Sequence, residues 1–254
     1  FERALLETFK KKRLPLPDVV SPSRFTVRDD VMDYACDRVT MRKDEHGKYH
    51  VGVAADPSSD GPGAFGFDLC FTASKPAVRN GIDGVSPGVS NDDAMFYYSI
   101  TRMAVEGHVH PVDGPSVAVA GEGWYDHEFG GDSSRAGAGG GIKVMDVAWA
   151  WTGVQLNDGT EVTYAKTIDN LGKGTLVDKA VLIDKVGDSS LHDAELVQTG
   201  KWTSLDTFIA YGKSWTLDVP EEGLHLELTA VVDAQELISV ISTPAYWEGQ
   251  VAVK

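Results

Sequence analysis

The chain has 254 residues, enough to bury most of its apolar surface in one large or two small domains. Its 38 acidic residues outnumber 23 basic ones, and the formal charge of -15 opposes approach to phosphate backbones or anionic lipid, which excludes nucleic acid as a partner. Hydrophobic content of 42% with 24% charged residues is that of a soluble globular protein, and no apolar run nears the roughly 18 residues of a membrane span.

Phe1 to Arg13 spaces Phe1, Leu5 and Phe9 as on one face of a helix and ends in a basic cluster that suits a helix C-terminus, so a short amphipathic helix is expected there, stopped by Leu14-Pro-Leu-Pro17. It lacks the leader and cleavage site of a signal peptide, and the sequence leaves the compartment open between cytoplasm and organelle. From Arg24 onward the period becomes two. Phe25–Val27, Arg38–Arg42, Tyr49–Ala54 and Phe65–Thr72 read as antiparallel strands, separated by turn signals at Glu45-His46-Gly47 and over 56–63. FGFDLCFT places Phe65, Phe67, Leu69 and Phe71 on one face. The run from Lys75 to Asp93 reads as a long loop of the kind that borders sites.

MFYYSITRMAV, Met95 to Val105, is the next strand, with Tyr97, Ser99, Thr101 and Met103 opposite Tyr98, Ile100 and Arg102. Gly107 to Gly114 is expected to turn the chain, and His108 and His110 form an HxH pair at its edge; without a third ligand nearby no metal is assigned. GEGWYDHEFGG, Gly121 to Gly131, follows as the central strand. Two aromatics, two carboxylates and an imidazole stand in succession from Trp124 to Glu128. Alternation puts Trp124, Asp126 and Glu128 on one face and Tyr125, His127 and Phe129 on the other. A plain core strand does not carry so many ionisable groups, because each unmet buried hydrogen bond costs about 1–3 kcal/mol. The motif is therefore either a reactive site or a hydrogen-bonded knot between strands.

Gly130 to Gly141 is glycine-rich but matches no phosphate-loop pattern, and it is expected to be a mobile loop or lid. VAWAWTGVQL and the hairpin through Asn157-Asp158-Gly159 bring Trp149, Trp151 and Tyr164 close to the central strand in sequence. Further strands are expected at Ala180–Lys185, Glu195–Trp202, Ser214–Val219, Leu224–Val232 and Glu236–Ile241. Cys36 and Cys70 fit neither a zinc site nor a disulfide-rich scaffold; small buried residues are expected, with one disulfide the alternative.

FYYSITRMAVEGHV, GEGWYDHEFGG, WAWTGVQLNDGTEVTYA and ELISVISTPAYWEGQVAV together resemble the hydroxyneurosporene synthase (carotenoid 1,2-hydratase-like) family, which includes kievitone hydratase and ring-closing cyclases. The resemblance runs from about Phe65 to the last residue. It implies an all-β chain of two lipocalin-like (calycin) antiparallel β-barrel domains, the first over 1–185 and a partial second over 186–254. The family pattern begins earlier and continues past Tyr246-Trp247-Glu248-Gly249, so the resemblance also implies incomplete barrels, their edges covered by a further segment or a protein partner.

No nucleotide loop, metal cluster or GxSxG pattern is present, so the enzymatic expectation is a cofactor-free hydratase or cyclase acting on a hydrophobic polyene, terpenoid or polyketide. Asp126, desolvated, would protonate an alkene, with His127 and Glu128 orienting it or placing water. Trp124, Tyr125, Tyr97, Trp149, Trp151 and Tyr164 would line the pocket, aromatic faces would stabilise a carbocation, and Arg102 could hold a carboxylate. The competing expectation is a non-catalytic lipocalin-like protein that binds a pigment or lipid, or a structural subunit of a larger assembly.

Overall fold

A computed structural model of the chain describes residues 25–28, 30–56, 63–86, 95–130, 147–169, 174–238 and 245–254. The expected N-terminal helix and the glycine-rich run beyond Gly130 lie outside them. Strands dominate: apart from one 3-10 turn, Pro220–Glu222, every regular element among the described residues is a β-strand, so the fold is all-β and lipocalin-like. No helix among the described residues is long and apolar enough to cross a membrane.

Two compact units are present, and both are discontinuous in sequence. One comprises Ser21–Val78 with Tyr98–His127; the other comprises Phe1–Val20, Arg79–Tyr97 and Glu128–Lys254.

The first sheet holds β1 (Phe25–Val27), β2 (Asp33–Cys36), β3 (Val39–Lys43), β4 (Tyr49–Val53) and β5 (Phe65–Ala73), followed by β6 (Val78–Arg79), β7 (Val85–Ser86), β8 (Met95–Pro111) and β9 (Val117–Gly130). Its order is β1-β2-β3-β4-β5-β8-β6, with β7 and β9 also pairing β8. The stretch expected to be a continuous loop from Lys75 thus contributes two short strands. The turn expected over Gly107 to Gly114 falls at Val112 to Gly114, whereas Gly107 itself lies inside β8 opposite Leu69. A Cβ there would sit 2.0 Å from the Asp68 carbonyl oxygen, so the glycine is required by close backbone approach rather than by a turn.

Hairpins follow a local rule. In Asp44-Glu45-His46-Gly47-Lys48 the Asp44 carboxylate accepts the backbone N–H of His46 at 3.0 Å and Lys48 at 2.9 Å, while Gly47 takes φ +78°. Asp184 caps Val186, Gly187 and Asp188 in the same way, with Gly187 at φ +99°. Asp supplies the acceptor and Gly the left-handed backbone that the turn needs.

The second unit contains a sheet of β10 (Val147–Gln155), β11 (Glu161–Asp169), β12 (Gly174–Ile183) and β13 (Ser189–Asp193), in that order. A further sheet has the order β14 (Glu195–Thr203), β15 (Ala210–Val219), β16 (Leu224–Ala230) and β19 (Val251–Val253), and β17 (Glu236–Ile238) pairs β18 (Ala245–Trp247). Leu226 and Leu228 are buried while His225, Glu227 and Thr229 are exposed, which is the alternation the sequence predicts. Val154, Val162, Tyr164 and Ala180 of one sheet pack with Leu217, Val219, Leu226 and Leu228 of the other to form the core of this unit. In the first unit Tyr49, Ile100 and Met103 form a smaller core, against which Met32, Met41, Phe71 and Tyr125 pack. Cys36 and Cys70 are free and half-buried, not disulfide-linked.

Candidate functional site

β8 and β9 carry the residues of interest, and pairing brings their polar side chains together. Ser99 is fully buried at 0% exposure, and its hydroxyl donates to Asp126 Oδ1. The Trp124 indole N–H donates to the same oxygen at 2.8 Å. Asp126 itself is exposed, and among the described residues no hydrogen bond reaches its Oδ2. One oxygen is fixed and the other is presented outward.

The neighbouring residues of β9 form a second network. The Tyr125 ring lies 5.0 Å from Tyr49 and 6.0 Å from Tyr98, and His127 Nδ1 is 3.1 Å from the Tyr98 hydroxyl. Burial, then the hydrogen bond with Tyr98, pushes the Tyr125 phenol well above the usual tyrosine range, so it stays protonated. The Phe129 ring lies 5.5 Å from that of Phe96, tilted by 30°. Alternation along β9 thus sorts its side chains into two sets, Trp124 with Asp126 and Tyr125 with His127.

Arg102 is taken up by Glu122, Nη1 to Oε1 at 2.5 Å, with the guanidinium largely buried. Glu128 is exposed and Tyr97 is half-buried, its backbone paired with Gly84 and Asn80. In the other unit Tyr164 is fully buried in the core, and its hydroxyl donates to Asp178 at 2.5 Å, which Lys166 also holds at 2.8 Å. Trp149 and Trp151 of β10 stand exposed at 59% and 41%. Sequence reading missed Ser99, Tyr98 and Tyr49. A serine inside an apolar strand, one residue after a tyrosine pair, was the available signal for the first two. Among the described residues no three His, Cys, Asp or Glu side chains are grouped to hold a metal.

An all-β lipocalin-like protein with a tethered, outward-facing carboxylate on a long strand is the class that this fold and site define. The chain belongs to the AttH-like family, whose model matches residues 18–254. A crystal structure of an AttH candidate from Nitrosomonas europaea superposes with a TM-score of 0.73 at 23% identity, covering 87% of this chain and 64% of that one. Kievitone hydratase from Nectria haematococca superposes with a TM-score of 0.67 at 15% identity, covering 90% of this chain and 68% of that one. This chain therefore spans about two thirds of the length of each. No curated protein matches it. The family likeness read from the GEGWYDHEFGG strand and its neighbours is borne out at the level of fold.

Proposed function

We propose that the protein is a cofactor-free hydratase or cyclase that activates an alkene in a hydrophobic polyene, terpenoid or polyketide, with Asp126 handling the proton. The observation that carries the reading is the tether. Ser99 and Trp124 hold Oδ1, which leaves Oδ2 without a hydrogen bond among the described residues. An apolar substrate laid over Asp126 excludes water, disfavours the charged form and leaves a neutral acid beside the double bond.

The proton then passes from Asp126 to one alkene carbon and a cation forms at its neighbour, facing the Trp124 ring. A water adds its oxygen there and returns a proton to Asp126. The sum is one water added; an internal nucleophile in its place closes a ring. His127, engaged by Tyr98 in the other set, and Arg102, engaged by Glu122, support the strands and do not touch the reacting atoms. A non-catalytic carrier of a pigment or lipid is the second reading, favoured by the exposed faces of Trp149 and Trp151.

The test incubates purified protein with prenylated phenols, linear isoprenoids and polyene polyketides in heavy-oxygen water. Products gaining one labelled water, or isomers formed without it, are the expected result. A ligand that is retained but returned unchanged supports the carrier.

A further inference from the structure

The unit formed by Ser21–Val78 and Tyr98–His127 carries a groove of about 690 Å³ in which Asp126 has no part. Strand register lays out its floor. Arg42 pairs His50, His50 pairs Cys70, and Cys70 pairs Glu106, forming one row across four strands. The adjacent row is Thr40, Gly52, Asp68 and His108. Ala118, Val119 and Ala120 of β9 supply apolar lining. Gly52 keeps the floor hollow, since a Cβ there would lie 2.9 Å from Thr40 Oγ1 and 3.1 Å from Asp68 Oδ1.

Within the row, His50 and Cys70 are directly opposite on antiparallel strands, so their Cβ atoms stand about 5 Å apart on one face. His50 Nε2 is 2.8 Å from Asp44 Oδ2, while Asp44 Oδ1 accepts the N–H groups of His46 and Lys48. These bonds, the one from His50 first, hold the Asp44 carboxyl down to about 2, so it is ionised at any working pH. A carboxylate can only accept, which assigns the imidazole proton to Nε2 and leaves Nδ1 as the basic nitrogen. A base oriented by an acid therefore stands across the ladder from a thiol, in a space large enough for a ligand. Other charges line the same groove. Arg42 lies beyond His50, Glu106 on the far side of Cys70 and Asp68 in the adjacent row; His108 faces Asp68, and His110 binds Asp68 at 3.0 Å.

We propose that Asp44, His50 and Cys70 form a nucleophilic site that takes up a small α,β-unsaturated carbonyl compound as a covalent thioether. His50 Nδ1 accepts the Sγ proton as the sulfur bonds to the β-carbon. The π electrons move to give the enolate, and the imidazolium returns the proton to the α-carbon. Adduct mass equals protein plus ligand, and no oxidant or reductant is consumed.

Cys36 is the internal control. The protein is treated with limiting N-ethylmaleimide at about pH 6.5, quenched over time, and both cysteines are followed by peptide mass spectrometry. Cys70 should react about tenfold or more faster than Cys36 and than glutathione. In His50→Gln the Cys70 rate should fall about tenfold with Cys36 unchanged, whereas in the wild-type protein crotonaldehyde should add once, at Cys70. Equal rates at the two cysteines, or a Cys70 rate indifferent to His50→Gln, overturns the proposal. Should that variant not fold, the wild-type pH profile decides. A Cys70 rate rising through the histidine range supports the site, and a single rise near the ordinary thiol value of about 8.5 overturns it.

Discussion

Asp126→Asn separates the acid from the knot because the substitution is nearly isosteric where the tether is made. Both donors converge on Oδ1, so an asparagine that places its carbonyl oxygen there keeps the Ser99 and Trp124 hydrogen bonds and puts its NH2 where Oδ2 was. What changes is charge. Hydrogen bonds to a charged acceptor contribute about 1.5–3 kcal/mol and neutral ones about 0.5–1.5, so two bonds lose about 2–3 kcal/mol before screening. Asp126 is exposed, and solvent screening brings the expected loss to about 1 kcal/mol, a fall in Tm of about 2–4 °C. Proton delivery, by contrast, is abolished, and turnover should drop about 100-fold or more, equivalent to about 2.7 kcal/mol of barrier. The assay is product formation in heavy-oxygen water under single turnover, normalised to folded protein, beside a thermal melt of each variant. A fall in Tm of more than about 8 °C with turnover per folded molecule unchanged would refute the catalytic assignment and leave GEGWYDHEFGG as a structural knot.

Glu236 accepts the hydroxyls of Ser204, Thr207 and Tyr211, and Ser204 and Thr207 are only 1% and 2% exposed, so Glu236→Ala should cost about 3 kcal/mol or more by denaturant titration, with faster amide exchange over 204–209. Glu236→Gln retains an acceptor and should cost clearly less. His225 donates to Asp218 at 2.6 Å, and that bond raises its pKa above the ordinary 6.5. Its contribution to stability is therefore full below about pH 6.5 and is lost as pH rises through the raised value; NMR titration should place the midpoint above 6.5, and Asp218→Asn should lower it. His127→Phe keeps a ring beside Tyr125 but loses the hydrogen bond with Tyr98. It should lower stability by about 1 kcal/mol, read as a shifted denaturant midpoint, and leave turnover within about threefold; a loss of turnover as large as that of Asp126→Asn returns His127 to the reacting site.

The strands were legible where side chains alternate strongly. In LHLELTAV, and over Met103 to Glu106 of β8, burial follows period two because one face packs and the other meets water. Legibility failed where backbone geometry decides. Asp33–Cys36, Ser189–Asp193 and the two short strands after Lys75 have too few residues to show a period, and pairing with a longer neighbour specifies them. Gly107 misled for a related reason. A glycine that looks like a turn is demanded here by an approaching carbonyl, and no property of its sequence neighbours distinguishes the two causes.

The site was legible on β9 and opaque on everything that completes it. Chemical density from Trp124 to Glu128 singles the strand out, and period two divides Asp126 from His127 without any coordinates. The partner of Asp126, however, lies 27 residues earlier, and a lone serine in an apolar strand is legible only once strand pairing brings it opposite a carboxylate. Tyr49 reaches Tyr125 from still farther away. Contacts across a sheet are non-local, and register converts an isolated serine or tyrosine into part of a site. The same logic governs the groove. His50 and Cys70 are 20 residues apart and unremarkable in sequence, yet ladder pairing sets them opposite one another, and Asp44 binds the imidazole because a hairpin turn already needed an aspartate there.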